Sequence, residues 1–302
     1  MNTLDEVLES PIPAMIYKYH EDAAEDWRRP HLGASVIGRP CAREIWYGFR
    51  WVKKPSFDGR MLRLFETGQL AEDRLVSELD GIGIRVSRRQ ERVEVIPHFS
   101  GSIDGVGEGF TESKVPHLLE FKTHNAKSWD ELNKLGVREA KPAHYCQMQV
   151  YMGGLKLTRA YYLAVNKNTD EIYAERVRFD QAAFDALVAR AREIIDAPGP
   201  PARIADNPAR FACKFCDLKE LCHGRGCPEV NCRTCLHSTP TDTGWTCAKR
   251  LMMIPLDEQR VGCPDHLFIP ALLNREIVLA GDDFIEYDNG WRNKNNSTEY
   301  EV

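Results

Sequence analysis

Residues 118–123 read Leu-Leu-Glu-Phe-Lys-Thr, an apolar strand pattern carrying an acid and a base two positions apart. Side chains alternate along a strand, so Glu120 and Lys122 face one way while Leu119 and Phe121 face the other. Burying an unpaired charge is costly or neutralises the group, so such a strand needs either a partner or a chemical task. Asp104 is the natural neighbour. It closes the short run Gly101-Ser102-Ile103-Asp104-Gly105, and Gly107, Gly109 and Pro116 predict a reversal that lays the two strands together.

An Asp followed on the next strand by Glu-X-Lys resembles the core of the PD-(D/E)XK nuclease superfamily, with the Pro position not kept. The resemblance implies that Asp104 and Glu120 ligate a divalent metal, that Phe121 adds its carbonyl, and that Lys122 serves the attacking water. Hard oxygen donors suit Mg²⁺ or Mn²⁺, which polarise a phosphodiester and generate hydroxide. The plain alternative for so short a match is a surface hairpin with a Glu-Lys pair. Two further features bear on the choice. Met61, Leu64, Phe65, Gly68, Leu75, Val76 and Leu79 fall at helical spacing, and Glu72 lies on that stripe. It either meets a metal or lysine beneath it or sits at the stripe's edge in solvent. An acid on the helix before the sheet resembles the superfamily pattern. Downstream, Gln147 and Tyr151 share a helix face with His144 one turn earlier. This Gln-X-X-X-Tyr resembles the signature of the RecB-like branch, where it lines the active site and contacts DNA.

With 302 residues, 43% of them hydrophobic, one large domain plus a small appendage is expected. No segment has the apolar length to cross a bilayer, and the acidic start is unlike a signal peptide, so a cytoplasmic protein without membrane association is expected. A net charge of −5 argues against wholesale DNA coating. Charge is uneven, however. Residues 1–26 hold seven acids and one lysine; residues 27–63 hold nine Lys/Arg against two acids, interleaved with Trp27, Trp46, Tyr47, Phe49 and Trp51. That segment is either a strand-binding surface or a solvated face over core aromatics.

In chain order, a polar leader broken by Pro11 and Pro13 precedes helices over 44–49 and around Glu72. Val93 and Val95 mark a strand before those of Asp104 and Glu120. A polar helix over 128–135 precedes the Gln147 helix. Residues 161–165 predict a central strand paired with 172–179, and Asp180 caps a helix with its stripe at Phe184, Leu187, Val188, Ala191 and Ile195. The last dozen residues are expected to be mobile.

Ten cysteines in a reducing compartment read as metal ligands rather than disulfides. Cys213, Cys216 and Cys222 lie in one short loop, and Cys41 is alone in the N-terminal third. One early and three late cysteines around Glu-X-Lys resemble the iron–sulfur subfamily of RecB-like nucleases, including helicase-associated and CRISPR adaptation exonucleases. The resemblance implies a [4Fe–4S] cluster on Cys41, Cys213, Cys216 and Cys222; zinc in the same ligands is the competitor. Cys232, Cys235, Cys247 and Cys263 predict a small zinc ribbon over 227–270, with Cys227, His237 and His266 as substitute ligands for Zn²⁺. Cys146 reads as a small buried hydrophobe.

The resulting expectation is an α/β fold with a mixed central sheet flanked by helices, a nuclease domain over 1–226 and a cysteine-rich module over 227–302. Its activity would be metal-dependent hydrolysis of DNA. The resemblance favours exonuclease action on single strands, in company with a recombination or replication protein. A non-catalytic nucleic-acid-binding protein is the alternative. An electron-transfer protein ranks lowest, because the Gly101 segment lacks a dinucleotide-binding glycine pattern.

Overall fold

The computed structural model describes residues 10–288, 290 and 292–294. The chain opens with helix α1 (Ile12–Asp22), strand β1 (Leu32–Gly33), and helices α2 (Ala42–Phe49) and α3 (Gly59–Gly81). Pro11 and Pro13 start α1 rather than break it. A proline in the first turn lacks only an N–H that would have no helical partner anyway. Residues 1–9, the rest of the expected leader, lie outside the described residues, as does most of the expected mobile terminus.

Strands β2 (Arg85–Ser87), β3 (Arg92–Ile96), β4 (Phe99–Ser102), β5 (Gly105–Glu108) and β6 (His117–His124) follow. Helices α4 (Ala126–Ala140) and α5 (Pro142–Leu155) then lead to β7 (Arg159–Asn166), β8 (Ile172–Arg178) and α6 (Gln181–Asp196). The central sheet has the order β2-β5-β6-β7-β8. β6 and β7 are parallel, their crossover made by α4 and α5; the other pairs are antiparallel. β1, β4 and β3 form a second, smaller sheet. The expected reversal is present, with Gly105 opposite Leu119 and Gly107 opposite His117. Asp104 sits where the chain leaves β4 in one sheet for β5 in the other.

Both faces of the central sheet are covered. Leu119, Phe121 and Leu163 pack on Leu75, Val76 and Leu79 of α3. The opposite face buries Leu118 and Tyr162 against Trp129, Leu132 and Met148 of α4 and α5. The α3 stripe is therefore buried only in its C-terminal half. Leu64 is exposed, and Phe65 meets Trp27 and Phe57 instead, at 5.7 and 5.0 Å between ring centroids. Asp180 caps α6 as expected, accepting from the Ala183 N–H at 3.1 Å.

Short helices α7 (Phe211–Lys214) and α8 (Lys219–His223) lead to a meander of β9 (Ser238–Thr241), β10 (Gly244–Cys247) and β11 (Met252–Ile254). After α9 (Leu256–Gln259) comes an antiparallel sheet of β12 (Ile277–Gly281), β13 (Phe284–Tyr287) and β14 (Arg292–Lys294). The sequence reading held nothing ordered in this last stretch. Packing is continuous past residue 227: Trp245, Ile254, Ile269 and Leu272 belong to the same core as Trp46, Phe99 and Tyr162. Arg233, 1% exposed, is the bolt. Its guanidinium donates to Gln259 Oε1 and to the carbonyls of Phe49 and Pro30 at 2.9–3.0 Å, and its Cζ lies 3.6 Å from the Trp51 ring centroid. Spreading a planar cation over rings and carbonyls is how an arginine is tolerated without a carboxylate. Among the described residues, no helix is long and apolar enough to cross a membrane.

Arg233→Ala strips several buried hydrogen bonds and a stacked cation, and should cost about 3 kcal/mol or more in urea unfolding. Arg233→Lys should recover little, since an ammonium cannot span the same acceptors. A loss below about 1 kcal/mol in Arg233→Ala would mean that the bolt is not structural.

Candidate active site

Glu120 is fully buried in the middle of β6, on the face it shares with Lys122. The Lys122 amine donates to Glu120 Oε1 and, at 2.9 Å, to the carbonyl of Phe121, and it lies 3.8 Å from Asp104 Oδ2. Asp104 is pinned against the strand by the Phe121 N–H, which donates to its Oδ2 at 2.7 Å. A bond of this kind spans the gap between the β4–β5 link and β6, so the acid's position follows from the sheet. Glu120 Oε2 is buried with no hydrogen-bond partner. Orphaned carboxylate oxygens are rare and call for an explanation such as an ion.

Glu72 reaches the same region from α3. Its Oε1 accepts from Gln90 Nε2 at 2.8 Å and lies 3.9 Å from Arg89. It is half-buried, between the two readings its sequence position allowed. Burial, then Asp104, push its carboxyl above the usual range, opposed by Gln90, Arg89 and Lys122. Burial raises Glu120 too, with Lys122 opposing and Asp104 and Glu72 adding. For Lys122, burial alone would lower the amine, but the combined field of Glu120, Asp104 and Glu72 outweighs it and holds the ammonium charged. Three acids thus converge on Lys122, and the second cation, Arg89 beside Glu72, is itself paired with Asp73, so the arrangement is short of positive charge.

Helix α5 supplies the roof. Gln147 and Tyr151 are both buried, the Gln147 amide within hydrogen-bonding reach of the Tyr151 hydroxyl. Burial and the fields of Glu120 and Asp104 push the Tyr151 phenol up, so it stays a donor. The hydroxyl sits where Gly101 lacks a side chain: a Cβ there would lie 2.3 Å from it. That close approach accounts for the glycine at 101.

His124 and Tyr162 escaped the sequence reading. Tyr162 lies opposite Glu120 in the parallel register, and its hydroxyl is 2.8 Å from His124 Nε2 and 2.9 Å from His144 Nδ1. The signal for His124 was present, because residues 120, 122 and 124 share one face of a strand. No spacing could reveal Tyr162, which arrives through strand pairing.

A cleft of about 480 Å³ joins this site to the basic segment. Lys122, His144 and Gln147 line it together with Arg28, Lys53 and Trp27. Of the five aromatics interleaved with the basic residues, only Trp27 is exposed, at 40%; Trp46, Tyr47, Phe49 and Trp51 are core. The two alternatives for that segment therefore divide it: cations and Trp27 face the cleft, while the remaining rings build the wall behind.

Cys41, Cys213, Cys216 and Cys222 line one small pocket, with Cys41 also capping α2. Cys232, Cys235, Cys247 and Cys263 are close enough to interact electrostatically, and burial followed by its three neighbours pushes the Cys232 thiol up to about 12. Cys227 is exposed, and His266 Nε2 is 3.3 Å from the Thr234 hydroxyl. Among the described residues, no group of three or more His, Cys, Asp or Glu side chains is arranged to hold a metal ion.

No protein-family model matches the chain, and a search of curated proteins finds no match. Solved structures resemble it in part. An alkaline exonuclease (LHK-Exo) from Laribacter hongkongensis is 16% identical, with a TM-score of 0.40 over 59% of this chain and 90% of that one. SSO0001 is 12% identical, with a TM-score of 0.42 over 70% and 98%. A phage related exonuclease from Haemophilus somnus 129PT is 15% identical, with a TM-score of 0.38 over 54% and 91%. At these scores the likeness carries no functional assignment, and the site is read from its own geometry.

Burial, with nearby cations adding, pushes His31 and His124 down to about 4 and His144 down to about 3, from the ordinary 6.5. Between those values and 6.5 the unfolded chain binds more protons than the folded one, so stability falls as pH drops through that window. Thermal melting should show a falling Tm from pH 7 to pH 4, with a shallower slope in His31→Gln. A flat profile over that range would contradict the neutral, buried state of these imidazoles.

Proposed function

We propose that this chain is a divalent-metal-dependent nuclease that hydrolyses DNA phosphodiesters, with single-stranded ends as the favoured substrate. The observation that carries the reading is the orphaned, buried Oε2 of Glu120 beside Asp104 and Lys122, at the end of a cleft lined by cations and one exposed tryptophan. The donor set fits a hard cation: Asp104 and Glu120, with the Phe121 carbonyl and Glu72 as further oxygen ligands, suit Mg²⁺ or Mn²⁺. When bound, such an ion supplies Lewis acidity and a more acidic water.

The chain's own groups do the rest. Lys122, already tied to Glu120 and the Phe121 carbonyl, has one N–H left to orient water or to meet charge developing on the phosphate. Gln147 and Tyr151 position the strand from α5. Lys53 neutralises phosphate along the cleft, and Trp27 offers a face for stacking a base. A recombination or replication protein is the partner class this activity serves. For the cysteines, thiolate chemistry favours soft metals. Cys41, Cys213, Cys216 and Cys222 would be the thiols a [4Fe–4S] cluster draws together on binding, and Cys232, Cys235, Cys247 and Cys263 those for Zn²⁺.

End-labelled single- and double-stranded DNA incubated with Mg²⁺ or Mn²⁺ tests the reading. The wild type should degrade the single strand faster, and Glu120→Ala and Lys122→Ala should each lose at least about 100-fold in rate while DNA binding persists. A wild type inert with both metals, or an Lys122→Ala variant as active as the wild type, would sink it. Protein purified anaerobically should carry about four iron atoms per chain, lost in Cys213→Ser. It should also carry about one zinc, lost in Cys235→Ser. Metal-free protein of native stability would remove both cysteine assignments.

A further inference from the structure

Behind Lys122 runs a chain of buried and half-buried polar groups. Ser128 Oγ lies 3.1 Å from His124 Nδ1, His124 Nε2 lies 2.8 Å from the Tyr162 hydroxyl, and that hydroxyl lies 2.9 Å from His144 Nδ1. The rings are stacked, with planes of His144 and Tyr162 inclined by 27° and those of His124 and His144 by 29°. The remaining nitrogen of His144 has no protein partner among the described contacts, and the residue lines the cleft next to Lys122 and Gln147.

Proton counting restricts this chain. Burial and nearby cations keep both imidazoles neutral, so each has one N–H and one lone pair, and the tyrosine has a single proton to share. Two arrangements satisfy all three contacts and also give the Tyr162 proton an acceptor; a third, in which both imidazoles donate to the two lone pairs of the hydroxyl, leaves that proton without a partner. In one, protons point from Ser128 toward His144, leaving an N–H on Nε2 in the cleft. In the other, His144 Nδ1–H donates to Tyr162, Tyr162 donates to His124, and His124 donates to Ser128, leaving His144 Nε2 bare.

The charges facing His144 decide between them. Lys122 on β6 is a cleft neighbour, and a cation favours the lone-pair end of an imidazole toward itself. Lys141, just before α5, is paired with Glu131 at 2.8 Å as Lys122 is with Glu120, and both cations lower the proton affinity of His144; His124 and Tyr162 are members of the chain itself. The second arrangement is therefore the stable one.

We propose that His144 is a further catalytic residue whose bare Nε2 accepts a hydrogen bond from the attacking water, and that Tyr162, His124 and Ser128 are positioning residues that hold its proton on Nδ1. The histidine fixes the water's orientation without taking its proton. This rests on the nuclease reading for its kinetics, but the proton arrangement stands apart from it.

Proton–nitrogen correlation NMR on the full chain without substrate should find His144 with its proton on Nδ1 in the wild type, and a mixture of tautomers in Tyr162→Phe. In DNA cleavage, His144→Ala and Tyr162→Phe should each lose at least about tenfold in kcat with KM changed less than about twofold. His144→Gln, whose carbonyl can reach the Nε2 position, should recover part of the loss. A wild-type proton on Nε2 overturns the proposal, as does a Tyr162→Phe variant with unchanged tautomer and kcat. Absence of any metal-dependent cleavage by the wild type removes the water-holding role along with the nuclease reading, and the tautomer then tells the two failures apart.

Discussion

The structure is organised around a carboxylate and an ammonium buried side by side on one strand. Glu120 has no solvent exposure, and an isolated charge there would be strongly disfavoured. Lys122 answers one of its oxygens and Asp104 competes for the same amine, while Glu72 adds a third negative field from α3. Everything needed to hold this arrangement comes from the sheet. β5 and β7 flank β6 and fix its register, the Phe121 N–H anchors Asp104, and Gly101 leaves room for the Tyr151 hydroxyl. The surplus of negative charge that remains is what makes the site chemically pointed rather than merely tolerated.

A second buried charge holds the other end of the molecule. Arg233 and Arg50 are enclosed by Trp46, Trp51 and Trp245 and donate to backbone carbonyls from both halves of the chain, although the Arg50 Nε is buried without a partner. One of these rings, Trp51, also lines the cleft that reaches Lys122. Stability of the C-terminal stretch and the shape of the cleft are thereby coupled: loosening one should loosen the wall of the other. Neither arginine has a carboxylate partner among the described contacts, which explains why burial pulls both guanidinium pKa values downward.

The site was legible where chemistry follows local period. Alternation along 118–124 places Glu120 and Lys122 on one face, and helical spacing groups His144, Gln147 and Tyr151. The glycine-rich reversal brings β5 to β6, and all of these hold in the structure. Elsewhere local pattern misled. The α3 stripe predicted one continuous apolar face, yet its first half lies beside α1 and Trp27, so Leu64 stays exposed. For Trp46 and Trp51 the pattern leaves two options, stacking groups or core rings, and the structure puts both in the core. Sequence proximity to a charge says nothing about which side of a helix or turn faces water.

What the residue order determined alone is therefore most of the elements up to α6 and the acid–base pair in a buried strand, because periods of 2 and 3.6 residues are properties of the backbone. Only the tertiary structure decided that Tyr162 stands opposite Glu120, that Arg233 closes the core from nearly two hundred residues away, and that His124 and His144 meet through one hydroxyl. Those contacts depend on strand order and on which side chains the core leaves room for. Neither is encoded in any short window of sequence.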